Sequence, residues 1–325
     1  PETGRAYARA RELALHADAA QSPQQVHTLA LLGSYYYMRA ECQTSLELYE
    51  RAFAMAQNLD DPMLVTMSHL GLGLTLTDMG DLSRALAHLE QVIDFYDPQQ
   101  HRPMAYLVGQ DIGTSARAWA AWASWLLGQA DEAQGHSREA LVLAEASAHP
   151  FSLCFARYVA GLMFCLLCRQ YDKARTYLTM VKSLAEAEGF PLFLAGSTIL
   201  GGRLLAEEGQ ARAGITEMQR GLAAWQATGS RSFETFYLGL LAEAHSSAGE
   251  AKAGLQRIAE ALTLVDCTGE RFYEAELHRL RGHLLEQSDT ADKAEIAACY
   301  QRAMELASSQ AARSSTANSA FPMMI

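Results

Sequence analysis

The stretch LGLGLTLTDMGDLSRALAHLEQVIDFY, residues Leu70–Tyr96, contains one complete helix–turn–helix unit. Gly73 is a small residue at which two helices can pack closely, and Gly80 supplies the turn between them. Asp81 follows at a position where its side chain could cap the second helix. From Ala85 onward, apolar residues return at spacings of four and three, which marks one face of a helix. The stretch therefore predicts two helices joined by a tight turn.

A period of forty residues runs through the chain in three independent phases. The residues that mark it are Gly189, Gly229 and Gly269 at helix ends, Gly209 and Gly249 in short turns, and Gly202, Ala242 and Gly282 inside helices. Each helix pair is apolar on two sides and must be covered by its neighbours. We therefore predict an all-α fold, a right-handed α-solenoid of tetratricopeptide-like helix pairs with a period of about 40 residues.

The repeat also predicts how the chain is divided. We expect a single superhelix over residues 1–310 and an irregular tail over 311–325, where the pattern is lost. The superhelix would open with half a repeat at 5–19 and continue as helix pairs near 25–57, 62–96, 104–147, 150–188, 191–228, 231–268 and 271–308. The first helix of each pair should line the concave side. The result would be an extended superhelix with one continuous core.

Composition excludes several classes of partner. The net charge is −11 and no basic stripe is present, so a nucleic-acid partner is not expected. No apolar run reaches membrane-spanning length, and no signal peptide opens the chain. The six cysteines are scattered, which fits the cytoplasm. Because the chain begins with Pro1 instead of Met, we expect it to be part of a longer protein.

The sequence offers no catalytic constellation. It contains no phosphate loop, no metalloprotease motif and no nucleophile–base set, so we predict a protein that is not an enzyme and uses no cofactor. Cys165 and Cys168 have a metal-like spacing, but no second ligand pair follows, so we predict core cysteines and no metal site. Trp119, Trp122 and Trp125 share part of one helix face. We predict packing between repeats for them, with a ligand cage as the alternative.

The repeat loses its period once, by about eight residues after the second helix pair. The next helix begins either at Pro103 or near Asp111. The polar residues of this insertion, His101, Arg102, Gln110 and Asp111, are our first candidates for partner binding, because insertions in repeat arrays often lie on the binding face. The alternative is a structural plug, in which Arg102 and Asp111 pair with each other and bridge two repeats.

Three consecutive tyrosines form a second candidate site. Tyr35, Tyr36 and Tyr37 lie about 100° apart around one helix, so at least one should face the core and at least one should face the groove. Groove tyrosines suit peptide binding, because they bury area at low entropic cost and keep a hydroxyl free. We add Tyr35 and Tyr36 to the candidate partner-binding residues, with ordinary packing as the alternative.

Several segments resemble the C-terminal tetratricopeptide region of large bacterial signalling ATPases, with repeats similar to the maltose-regulator type. They include FYDPQQHRPMAYLVGQDIG, WLLGQADEA, EGFPLFLAGSTILGGRLLAEEGQ and TGERFYEAELHRLRGHLL. The resemblance covers residues 5–310, and DP..HR…GQD is its most specific motif. It implies a sensor or interaction arm without catalytic residues of its own. It also implies an N-terminal ATPase module, often accompanied by a class III adenylate or guanylate cyclase or by a DNA-binding domain.

We therefore expect a non-catalytic protein- or peptide-interaction module of a larger bacterial signal-transduction protein. Its partner would lie in the concave groove, and the ATPase or cyclase module of the same protein would be a second partner. The alternative is a stand-alone helical-repeat regulator that senses a peptide or small effector by changing the pitch of its superhelix.

Overall fold

A computed structural model describes residues 9, 22–288 and 292–312, and all regular structure in these ranges is helical. The α-helices are α1 (Pro23–Met38), α2 (Cys42–Asn58), α3 (Pro62–Asp78), α4 (Leu82–Phe95), α5 (Pro98–His101), α6 (Ala105–Val108), α7 (Ile112–Leu126), α8 (Ala130–Ser147), α9 (Pro150–Ala156 and Phe164–Leu167, joined by the π-helical Arg157–Met163), α10 (Tyr171–Glu188), α11 (Pro191–Glu207), α12 (Ala211–Ala227), α13 (Glu234–Ser247), α14 (Ala251–Thr268), α15 (Glu274–Glu286) and α16 (Lys293–Ala312). Apart from residue 9, the predicted half repeat at 5–19 lies outside the described residues, as does 313–325 of the predicted tail.

Most helices are arranged as pairs, and the pairs stack in chain order. Within the described ranges the seven pairs are α1–α2, α3–α4, α7–α8, α9–α10, α11–α12, α13–α14 and α15–α16. The first helices of successive pairs also pack on one another. Each pair thus covers the apolar faces of its neighbours, and the predicted all-α helical-repeat solenoid is confirmed.

The second pair shows how the sequence builds a unit. A Cβ atom on Gly73 would lie 2.6 Å from the side chain of Leu89, so a larger residue would force Leu89 or the two helices to shift. Gly80 has a φ of +74° in the turn, a conformation that glycine adopts without strain. The predicted cap at Asp81 is wrong: its side chain makes no capping hydrogen bond, and it pairs with Arg84 instead.

The superhelix is not extended, because its first two pairs meet its last two. The carbonyl oxygen of Met38 accepts hydrogen bonds from the N–H groups of Arg231 and Ser232, at 2.8 and 3.2 Å. The carbonyl oxygen of Asp78 likewise accepts from Arg271 at 2.7 Å, and from the residue that follows it at 3.1 Å. The loops that make these contacts delay α13 and α15 by three residues relative to the predicted starts at 231 and 271.

Aromatic side chains fill the centre of the closed superhelix. The ring of Trp119 stacks on that of Phe233, with centroids 5.4 Å apart and an angle of 10° between the planes. Trp122 is fully buried and meets Phe272 edge-on at 5.8 Å. Both tryptophans therefore pack across the superhelix, from the third pair to the sixth and seventh. Trp125 makes the predicted kind of contact, against α9 of the neighbouring pair.

The hydrophobic core has one large part and two small ones. The large cluster runs from Tyr37 to Leu284 and includes residues of all seven pairs. Two smaller clusters lie within the first two pairs, one around Leu29 and one around Leu72. The first two pairs therefore have local cores of their own in addition to their share of the common core.

One helix of the described chain, Pro150–Leu167, is long and apolar enough to cross a membrane by length and composition alone. Of this span, 72% is buried inside the protein. A helix at the core of a helical protein passes the same test, so this is weak evidence for a membrane span.

Cys165 and Cys168 lie at the end of this helix as free thiols, and burial raises the pKa of both. No group of three His, Cys, Asp or Glu in the described ranges could hold a metal ion.

Candidate functional site

A cavity of about 310 Å³ lies between the first two pairs and the insertion, and we call it the groove cavity. Helices α1 and α3 form its two long walls, and the end of the insertion together with the start of α7 forms the third. The residues that line it are His27, Ala30, Leu31, Ser34 and Tyr37 from α1, Tyr49 from α2, Met67, Leu70, Gly71 and Leu74 from α3, and Val108, Gln110 and Ile112.

The groove cavity is mostly apolar and has a few polar groups at defined positions. Leu31 is 63% exposed, which leaves an aliphatic side chain available for a ligand. The hydroxyl groups of Ser34 and Tyr49 are hydrogen-bonded at 2.7 Å. The side-chain oxygen of Gln110 accepts from the Ser115 hydroxyl at 3.1 Å, so its amide nitrogen is not used in that bond. Apolar walls with a few polar groups are typical of sites that bind peptides and small molecules.

Asp111 of the insertion is a structural residue at the start of α7. It is 1% exposed, and its carboxylate accepts from the N–H of Thr114 at 2.7 Å and from the Tyr96 hydroxyl at 2.6 Å. Its own N–H donates to the hydroxyl of Ser152 at 2.8 Å, which links the third pair to the fourth. The carboxylate therefore caps α7, which begins at Ile112, the later of the two starts that the sequence left open.

His101 also points inward in the insertion. Its ring is stacked on that of Phe95, with centroids 4.8 Å apart, and its Nδ1 accepts from the N–H of Asp97 at 2.9 Å. It is buried and does not line the groove cavity. Of the four candidate residues in the insertion, Gln110 is the one that reaches the cavity.

Arg102 and Asp111 meet through a third residue. Within the described ranges they form no direct ion pair, but both act on the phenol of Tyr96. Burial and the hydrogen bond to Asp111 raise the pKa of Tyr96, while the charge of Arg102 acts in the opposite direction. The direct pair that the plug hypothesis requires is therefore not formed, and Tyr96 lies between the two charges instead.

Of the three tyrosines, Tyr36 and Tyr37 are buried, and Tyr37 belongs both to the large core cluster and to the lining of the groove cavity. Tyr36 is buried in the small cluster around Leu29. Tyr35 meets Tyr36 edge-on at 5.2 Å and lies under the guanidinium of Arg39, 5.7 Å from the ring centroid. The groove cavity is lined by Tyr37 and not by Tyr35 or Tyr36, the two that the sequence suggested. Sequence spacing could have indicated this position, because Tyr37 follows Ser34 by three residues and so lies on the same face of α1 as the other lining residues.

The contacts that close the superhelix are duplicated at the repeat period, and we call the two together the clasp. Met38 and Asp78 are forty residues apart, and so are their partners Arg231 and Arg271. Each partner lies in a copy of one short motif, TGSRSFE at 228–234 and TGERFYE at 268–274. The repeated motif T-G-x-R-x-[FY]-E was the sequence signal for the clasp.

Side chains hold each clasp loop in shape. Arg231 pairs with Glu234 at 3.1 Å, and Arg271 pairs with Glu274 at 2.7 Å. The two glutamates are buried at the starts of α13 and α15, whereas the arginines are about half exposed. The same pairing therefore orders both loops, with their N–H groups directed to the helix ends of the first two pairs.

Two buried acids lie beside the clasp. Asp78 and Glu270 are each 1% exposed. Glu270 accepts hydrogen bonds from the N–H groups of Phe233, at 2.6 Å, and Thr235, at 3.3 Å. Neither carboxyl oxygen of Asp78 has a partner in hydrogen-bonding geometry among the described residues. Burial raises the pKa of Glu270 to about 7, and burial together with the charge of Glu270 raises that of Asp78. Tyr37 is the neighbour that favours ionised Asp78.

Fold and groove together define a helical-repeat protein of the tetratricopeptide-like class. A Rap protein complexed with competence and sporulation factor is similar, with a TM-score of 0.67 and 14% identity over 93% of this chain and 81% of that chain. The apo form of RapI is similar with a TM-score of 0.55 and 11% identity over 87% of this chain and 97% of that one. At these identities the likeness shows the fold alone. No protein-family model and no curated protein matches the chain.

Proposed function

We propose that this chain is a regulator that binds a peptide or a protein segment in the groove cavity and has no catalytic activity. The cavity itself carries the proposal, because it is open, largely apolar and bounded by two helices and an insertion. Its 310 Å³ is at the lower end of the range of about 300–1,000 Å³ for ligand sites. It therefore suits one or two apolar side chains of an extended ligand, with Gln110 available to the ligand backbone.

The similarity to a Rap protein solved with competence and sporulation factor supports a binding role for this shape. The distribution of ionisable groups supports binding without catalysis. Neither Asp78 nor Glu270 lines the groove cavity, so these two buried acids do not meet a ligand bound there, and Glu270 lines a separate cavity of about 200 Å³ beside the clasp. We assign no cofactor and no metal ion to the site.

We also propose that this chain is one arm of a larger signalling protein. The resemblance to signalling ATPases implies a cytoplasmic sensor arm that contacts an N-terminal ATPase or cyclase module, and the stand-alone regulator is the alternative. A purified polypeptide from the region encoded upstream, tested for binding by calorimetry, would separate them. Affinity in the micromolar range or tighter supports the arm, and no heat of binding supports the stand-alone regulator.

The groove is tested with two matched variants. Random heptapeptides displayed on phage are selected against the chain, and the enriched ones are resynthesised with fluorescein for anisotropy. Leu31→Asp should weaken binding by about tenfold or more, because it puts a charge on the apolar wall. Val142→Asp is the control, since Val142 is 64% exposed on α8, does not line the cavity, and should leave affinity unchanged. If nothing is enriched, or if both variants bind as the wild type does, the proposed site is wrong.

A further inference from the structure

The clasp and the groove cavity are built from the same two helices. Helices α1 and α3 form the long walls of the cavity, and their last residues, Met38 and Asp78, are the carbonyl acceptors of the clasp. The spacing of the two walls is therefore fixed at one end by bonds to the loops before α13 and α15, which lie about 190 residues further along the chain.

Tyr37 connects the two features directly. It lines the groove cavity, and the next residue is the first clasp acceptor, Met38. Its hydroxyl has no partner in hydrogen-bonding geometry within the described ranges, and the charges of Asp78 and Glu270 act on it. A ligand that moves this ring therefore acts on the end of α1, and a change at the clasp acts on the wall of the cavity.

We propose that the clasp is a regulatory latch for the groove, so that ligand binding in the cavity and closure of the clasp favour each other. This inference rests on the proposed function. The cavity is already formed in the closed state, in which both walls are held at their ends. Opening the clasp would release the ends of α1 and α3, and the ligand would then have to order them again. A ligand that prefers the closed state must stabilise it by the same factor, because the coupling between two equilibria is reciprocal.

An engineered disulfide that can be formed and reduced again tests this coupling, because it would hold the clasp closed. A Cβ atom built on Gly269 lies 3.6 Å from the Cβ of Cys42, inside the range of about 3.5–4.5 Å for disulfides. Gly269→Cys should therefore form a disulfide between the first pair and the loop before α15, which holds the clasp closed. Cys267 is exposed nearby and is replaced by Ser in every variant. Gly269 has a φ of +79°, so the new residue is strained, and the reduced form of the same variant carries this strain as the matched control.

The labelled heptapeptide from the groove selection is the probe, and its affinity is measured for the oxidised and reduced forms. The comparison is made with Glu274→Ala added, because loss of the partner of Arg271 weakens the clasp loop and opens the clasp of the reduced form. The oxidised form should then bind about fivefold or more tightly than the reduced form. Equal or weaker binding to the oxidised form overturns the latch. If both forms bind equally and both lose binding with Leu31→Asp, the proposed function stands and the latch fails. If neither form nor the wild type binds, the proposed function itself fails.

The disulfide between Cys42 and the cysteine introduced by Gly269→Cys provides a second measurement. The disulfide should disappear when Cys42 is also replaced by Ala. Cys42 is buried and burial raises the pKa of its thiol, so the bond forms slowly and is measured at equilibrium in glutathione buffers. The peptide should shift this equilibrium toward the disulfide. A thiol pair that stays reduced at equilibrium in oxidising glutathione buffer would contradict the closed clasp, and a peptide without effect on that equilibrium would contradict the coupling.

Discussion

Replacing Asp111 by alanine separates the two hypotheses for the insertion. The change removes the acceptor that caps α7 at Thr114, which costs about 1 kcal/mol. It also leaves the buried hydroxyl of Tyr96 without its acceptor, which costs about 1–3 kcal/mol. Arg102 cannot take the place of the carboxylate, because a guanidinium has no acceptor. Together these losses predict a decrease in unfolding free energy of about 2–4 kcal/mol.

Urea unfolding followed by far-ultraviolet circular dichroism measures this decrease. Asp97→Ala is the matched control, because Asp97 also caps a helix, accepting from the N–H of Gln99 at 2.8 Å, but is more exposed and its cap leaves no buried partner. The control should cost about 0.5–1 kcal/mol. The structural reading of Asp111 is refuted if its variant is no less stable than Asp97→Ala. A loss of peptide affinity at unchanged stability would favour the binding hypothesis instead.

Three further outcomes are expected. Glu270 keeps its proton in the folded state up to about pH 7, whereas an unfolded glutamate loses it near pH 4.5. The free energy of unfolding should therefore fall as pH rises between these values. Glu270→Gln should reduce this fall, measured as the difference between the urea midpoints at pH 5 and pH 8. Gly202→Ala should lower the melting temperature, because the new Cβ would lie 2.5 Å from the carbonyl oxygen of Gly214, while Gly135→Ala, which meets nothing within 4 Å inside α8, should raise it slightly. Gln110→Ala should weaken the selected peptide severalfold in anisotropy without changing the urea midpoint, and an unchanged affinity would remove Gln110 from the site.

Local features of the repeat could be predicted from the sequence because their causes are local. Gly73 and Gly80 mark a close helix crossing and a tight turn, and both act within one helix pair. Closure of the superhelix could not be predicted in this way. It depends on small rotations summed over six repeats, and no single repeat determines that sum. The duplicated T-G-x-R-x-[FY]-E motif indicates that two loops share a role, but it does not say which helix ends they meet.

The capping aspartates show a finer limit. Asp61 has an extended backbone, with a ψ of 102°, and its carboxylate reaches the N–H groups of Met63 and Leu64. Asp81 occupies the equivalent place before α4 but has a ψ of 66°, because its own N–H is bound to the carbonyl of Leu76 in the tight turn. A side chain can cap only from a suitable backbone conformation, and residue type alone does not provide it.

The chemistry of helix ends explains why the clasp forms where it does. The last carbonyl groups of a helix have no N–H partners within that helix, and the N–H groups just before a helix have no carbonyl partners within it. The clasp joins the free carbonyl groups at the ends of α1 and α3 to the free N–H groups before α13 and α15. The two buried acids lie at opposite helix ends, Glu270 beside the N-terminal end of α13 and Asp78 at the C-terminal end of α3. Glu270 accepts from N–H groups at the start of α13, where negative charge is favoured, so its pKa rises only to about 7 despite full burial. Asp78 lies at the end of α3, where negative charge is disfavoured, and burial together with the charge of Glu270 raises its pKa well above the usual range of an aspartate.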